Sequence, residues 1–116
     1  MLRDFRAPTH WLSMELLSLL GAEPTRERVV KDRNRVTGGG ITAGIDFGLV
    51  VAMEIAGEDA AKEIQLRMEY DPDPPFGSGS PKSADHALVE SVRAKRGAVQ
   101  KRRAAAAERA RVSLGL

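Results

Sequence analysis

The chain has 116 residues, enough for one small domain or part of a larger one, and is 42% apolar, 29% charged and 4% aromatic. That balance excludes a disordered chain and leaves any core to Leu, Ile, Val, Ala and Met, thin material at this length. It contains no cysteine, which excludes disulfides, thiolate catalysis and cysteine metal sites within the chain itself.

The net charge of +2 conceals an asymmetry. Residues 1–81 carry nine Lys/Arg against thirteen Asp/Glu, a balance of −4, and residues 82–116 carry nine against three, a balance of +6. The basic character therefore belongs to the tail. The opening Met1-Leu2-Arg3-Asp4-Phe5-Arg6 is charged and has no apolar run of a secretory leader. The longest apolar stretch, Ile45 to Ile55, is interrupted by Asp46 and Glu54 and is too short to span a bilayer. No membrane association is expected, and a cytoplasmic location is the default.

Taken in order, Pro8 and Thr9 precede a first helix, with Thr9 as its expected N-cap. Leu12, Leu16, Leu19 and Leu20 recur at helical spacing, and Gly21 supplies the stop. Thr25 to Lys31 reads as extended, Asp32-Arg33-Asn34 as a turn, and Arg35-Val36-Thr37 as a second strand, together a hairpin. Gly38-Gly39-Gly40 ends it. Ile41 to Ala56 is apolar on nearly all sides, which predicts a helix covered by neighbours, with Gly44, Gly48 and Ala52 as a stripe of small residues. After Gly57 a third helix, Glu58 to Tyr70, turns Ala60, Ala61, Ile64 and Met68 to one side. Residues 71–81 hold four prolines and two glycines and predict an irregular loop. A last helix starts near Ala84 and carries Leu88, Val92 and Val99. It runs into a basic, alanine-rich tail over 97–116. This order suits a layered α/β fold, but two or three strands cannot cover a helix as apolar as 41–56.

Several chemical signatures fail on spacing. Gly38-Gly39-Gly40-Ile41-Thr42-Ala43 fits a dinucleotide fingerprint, but the acidic residue expected roughly 20 positions on falls on Glu58 and Asp59, where a helix opens. The glycines suit better a tight strand-to-helix turn, needed for close packing or for facing a cleft with free N–H groups. Asp71 and Asp73 resemble the start of a calcium loop, but prolines intervene and position twelve is Lys82. His10 and His86 are distant and make no metal site. No cofactor is expected. The tail's charge lacks aromatics or a DNA-binding motif, so nucleic acid is not an expected partner.

Four segments together resemble the ThiJ/PfpI superfamily, related to class I glutamine amidotransferases, and its isonitrile-hydratase-like branch. Arg6-Ala7-Pro8-Thr9-His10-Trp11 is similar to the family's R-A-T-T-H-W junction, with Pro8 where Thr is usual. Arg26-Glu27-Arg28-Val29-Val30-Lys31-Asp32 is similar to the strand that follows. Thr37 to Phe47 is similar to its T-S/G-G-G-V-T-A-G-I-D turn and helix, and Ile64 to Phe76 to its Q-L-x-x-E-Y-D-P-x-P-P-F ending. The match runs over residues 5–95, and the tail after Gly97 shows no family counterpart.

The resemblance implies an α/β fold, the C-terminal part of a flavodoxin-like three-layer sandwich carrying an α-helical basic tail. Residues 1–96 would be half of the domain and 97–116 the tail. It implies a reactive cysteine on an elbow earlier in the family's chain, with an acidic residue also nearer the N-terminus, neither having a counterpart here. It further implies hydration of isonitriles to N-substituted formamides, so a small-molecule substrate is expected only when an N-terminal half completes the domain. His10 would lie near the absent cysteine, with Thr9, Gly38, Gly39 and Gly40 lining the cleft. Homo-oligomerisation, as a dimer or by docking on a homologue, is the expected association. A non-catalytic binding or regulatory module, or the sensor remnant of a transcription regulator, is the alternative.

Overall fold

A computed structural model describes residues 2–116, so Met1 lies outside the described residues. Its elements in chain order are β1 (Arg6–Ala7), a 3-10 turn (Trp11–Ser13), α1 (Met14–Leu19), β2 (Glu23–Pro24), β3 (Val29–Asp32), β4 (Arg35–Gly38), α2 (Ala43–Ala56), α3 (Glu58–Arg67) and α4 (His86–Ser113).

The expected hairpin forms. β3 and β4 pair antiparallel with Val29 opposite Gly38 and Asp32 opposite Arg35, leaving Arg33-Asn34 as a two-residue turn. Arg33 takes φ 52°, a conformation that costs a non-glycine residue. Its guanidinium lies 3.6 Å from the centroid of the Phe5 ring and donates to the Asp4 carbonyl, contacts that hold the turn against the chain's start.

β1 pairs parallel with β2, Arg6 beside Glu23 and Ala7 beside Pro24. The sequence gives no sign of this pairing, because each strand is two residues long and β2 ends on a proline that cannot donate. β1 is also tied to the hairpin. The Arg6 N–H donates to Asp32 Oδ2 at 2.8 Å.

The helices differ from expectation at their ends. Thr9 is not the first helix's cap: His10 is, with φ −58° and ψ 136°, and its Nδ1 accepts from the Leu12 N–H at 3.3 Å. The third helix stops at Arg67, because Glu69 adopts φ 51°. Residues 71–85 contain no helix or strand, as the prolines predict. The last helix begins at His86 and continues without a break through Gly97 to Ser113, 28 residues in all.

The core is small. Its buried apolar residues are Ala7, Met14, Ala22, Val30, Ala43, Ala61, Val89 and Ala107, and no large side chain among the described residues is fully enclosed. α3 and the hairpin cover parts of α2, yet only Ala43 of that helix is buried. Ile41 is 94% exposed and Ile55 81%. The covering that α2's composition predicts does not come from this chain.

Overall dimensions agree. The molecule is a slab of 44 × 37 × 17 Å with a radius of gyration of 16.5 Å, against about 13 Å for a compact chain of this length. It exposes 8504 Å², where a compact 12.6 kDa monomer exposes about 6,200 Å². The open faces are apolar in part, Ile41, Ile55 and Leu66 among them.

Candidate cleft at the junction of strand, turn and last helix

The site begins with β1. Ala7 and Pro8 are buried, so the chain leaves the core at Thr9 and presents His10 at the surface. The cap hydrogen bond occupies Nδ1 as an acceptor, which leaves Nε2 as the nitrogen free to meet a ligand. The His10 and Trp11 rings lie with centroids 5.9 Å apart and planes inclined by 28°. The Arg93 guanidinium stands 5.5 Å from the Trp11 ring centroid.

The glycine run approaches this junction from the end of β4. A Cβ on Gly39 would lie 2.9 Å from Pro8 Cβ, 3.0 Å from the Glu27 carbonyl and 3.3 Å from the Thr9 carbonyl. Only glycine fits there. The Gly39 N–H donates to the Arg28 carbonyl at 2.8 Å, closing the turn onto the hairpin. Gly40 takes φ 76° with open space beside it, which directs the chain into α2. Gly38 stands against Phe47, with 3.3 Å between a Cβ there and Phe47 Cβ.

Thr9, His10 and Gly40 thus share one open groove of about 480 Å³. Gly38 and Gly39 do not line it. Gly39 instead shapes its floor from beneath, through the contact with Pro8 and Thr9. The opposite wall is α4, which contributes Val92, Arg96, Val99, Gln100 and Arg103. Sequence reasoning about the cleft missed this wall. Its signal is the spacing: Val92, Arg96, Val99 or Gln100, and Arg103 follow one another at three- and four-residue steps, one face of a helix. Arg103 Nη1 donates to Ser13 Oγ at 3.3 Å, joining that wall to the first helical turn.

Outside the groove lining, Asp46 in the first turn of α2 accepts from the Arg28 guanidinium and from the Tyr70 hydroxyl, the latter at 2.8 Å. Burial pushes the Asp46 carboxyl up, and the bonds from Arg28 and Tyr70 outweigh it, so the group lies below its ordinary value. Tyr70 is raised, first by its bond to Asp46. Lys31 reaches Glu54 at 2.7 Å further along the same helix. These contacts fix α2 against the hairpin and present no free nucleophile or base. Among the described residues no cluster of three or more His, Asp or Glu could hold a metal ion.

A short parallel pair, a hairpin and helices on their flanks define an α/β layered fold of the flavodoxin-like class, seen here as a part of one sheet's surroundings. The comparison with solved structures agrees. A crystal structure of a ThiJ/PfpI family protein from Pseudomonas syringae superimposes with a TM-score of 0.87 at 42% identity, over 91% of this chain and 44% of that one. The isonitrile hydratase of Pseudomonas putida is 49% identical over all 116 residues, 51% of its own length. No family model matches the chain. The chain is thus similar to a ThiJ/PfpI family protein and to an isonitrile hydratase, and it spans about half the length of the curated relative that it matches. The alignment over all 116 residues includes α4 to its end, so the basic tail has a counterpart in that relative, contrary to the sequence expectation.

No helix among the described residues is long and apolar enough to cross a membrane.

Proposed function

We propose that this chain supplies the C-terminal half of an isonitrile-hydrating domain, and that the groove beside His10 is the exposed half of its cleft. The observation that carries the reading is the meeting of Thr9, His10 and Gly40 along one groove, in a chain 49% identical to an isonitrile hydratase. In the completed domain a cysteine thiolate from the N-terminal half attacks the isonitrile carbon. The isonitrile carbon takes a proton from an acidic group of that half to give a thioimidate; water then adds to that carbon, the nitrogen is protonated, and the thiolate leaves to release the N-substituted formamide. The overall change is the addition of one water, a lyase-type hydration.

This chain contributes no nucleophile, since it has no cysteine. Its part is to shape the cleft and to hold His10 by the cap bond with Nε2 outward. The purified 116-residue chain is expected to leave an isonitrile unchanged. Formamide production by the chain alone would overturn the division of labour.

A docking role is the second reading, favoured by the open α2 surface. Ile41 and Ile55, with Leu66 of α3, are each more than four-fifths exposed. A homologous domain, or a second copy as a dimer in the cytoplasm, would cover them.

A further inference from the structure

Arg96 and Arg103 of α4 line the same groove as His10, Trp11 and Gly40. Seven residues apart, they stand two turns from each other on one helical face, with Gln100 between them. Among the described residues neither forms an ion pair, and no carboxylate lines the groove. On the same helix Arg93 has Glu90 at 3.6 Å and Arg111 has Glu108 at 2.6 Å, while Lys95, Lys101, Arg102 and Arg109 stand, like Arg96 and Arg103, outside any ion pair among the described residues; what sets Arg96 and Arg103 apart is that both line the groove. Arg103's partner, the Ser13 hydroxyl, is neutral. Val92, Val99, Leu12 and Ile41 form the aliphatic part of the lining, beside the polar Thr9 and Gln100.

A solvated helix face carries its charges in mixed signs and keeps them away from apolar hollows. Here two guanidinium groups without counter-charge flank a partly apolar groove large enough for a small molecule. A guanidinium fork matches a carboxylate in two parallel hydrogen bonds, and the match strengthens as water is excluded. The geometry points to a binding site for a small organic anion, with its carboxylate between Arg96 and Arg103 and its apolar arm along Val92 and Val99. For the proposed cleft this means a substrate that carries an acidic group, a consequence that rests on the isonitrile reading. The binding itself does not.

Titration calorimetry on the 116-residue chain with phenylacetate, its neutral analogue phenylacetamide and inorganic phosphate tests the site. Phenylacetate should bind, and the amide and phosphate should each bind more weakly by about tenfold or more. The double variant Arg96→Gln/Arg103→Gln should lose about tenfold or more in phenylacetate affinity, while Arg102→Gln, outside the groove, should bind as the parent does. Circular dichroism of each variant shows that α4 is retained. No phenylacetate binding, equal binding of acid and amide, or an unchanged double variant would overturn the site, and phosphate binding as tightly as phenylacetate would remove the apolar arm. None of these readouts involves thiol chemistry, so their failure is separate from any failure of isonitrile hydration.

Discussion

The Tyr70 hydroxyl donates to Asp46 Oδ1 at 2.8 Å, tying the residues that follow α3 back to the first turn of α2. Arg28 on the hairpin side approaches the other carboxylate oxygen. One carboxylate therefore joins three segments that are far apart in the chain. Replacing Asp46 with Asn removes the charge from both contacts and should destabilise the chain by on the order of 1 kcal/mol. Tyr70→Phe leaves the Arg28 contact and should cost less. Urea unfolding followed by circular dichroism ranks the two. A Tyr70→Phe chain less stable than Asp46→Asn would show that the phenol, not the carboxylate, is the hub.

The same carboxylate sets a pH dependence. Asp46 is held below its ordinary value, and so is Asp32, chiefly through the Arg6 N–H. A group whose folded value is depressed contributes stability that is present above its unfolded value and lost as pH falls through the folded one. Stability should therefore be level from neutral pH down to about pH 4 and decline below it. In Asp46→Asn the decline should be shallower. Tyr70, raised in the fold, has the opposite sign: its contribution is present below its unfolded value and disappears as pH rises past the folded one. Thermal melts between acidic and alkaline pH check both limbs.

Gly39 and Gly48 should respond in opposite directions to alanine. At Gly39 the methyl would meet Pro8 and the Glu27 carbonyl at 2.9 and 3.0 Å, both anchored by backbone. A loss of about 1–3 kcal/mol is expected from the displacement. At Gly48, inside α2, no atom lies within 4 Å of an added Cβ, and alanine should stabilise the chain alone by about 0.5–1 kcal/mol. A destabilised Gly48→Ala chain would mean that another backbone already occupies that side of α2 in solution.

How much of this was legible in the residues varies by element. The hairpin was readable because Val29, Val30 and Val36 flank a polar turn, and the glycine run because only a turn needs three glycines there. The β1–β2 pair was not, since two-residue strands leave no periodicity. The first cap falls on His10 rather than Thr9: threonine is the commoner cap, and the competing His10 ring nitrogen has no sequence signal of its own. Around the groove, Thr9, His10 and Gly40 meet, whereas Gly38 and Gly39 turn to other contacts. The wall from α4 is hard to read in the sequence because Gly97 looks like a boundary, although the helix runs on through it. The apolar character of α2 pointed to a missing neighbour, and the exposed Ile41 and Ile55 agree.

That exposure makes self-association the expected behaviour of the isolated chain. Sedimentation velocity should show a weight-average mass that rises with concentration, together with enhanced fluorescence of a hydrophobic dye. Ile55→Glu should reduce both, as a charge placed on the open face opposes its burial. A chain that stays monomeric and dye-silent at high concentration would contradict an open apolar face.

The most direct test of the central claim is complementation. The 116-residue chain would be mixed with a separately produced polypeptide corresponding to the N-terminal half of the Pseudomonas putida isonitrile hydratase, and formamide release from an isonitrile would be followed. The account predicts turnover in the mixture, none from either part alone, and none when the cysteine of the added half is replaced by alanine. A mixture in which the two parts associate but produce no formamide would contradict the assignment of this groove to the hydrating cleft.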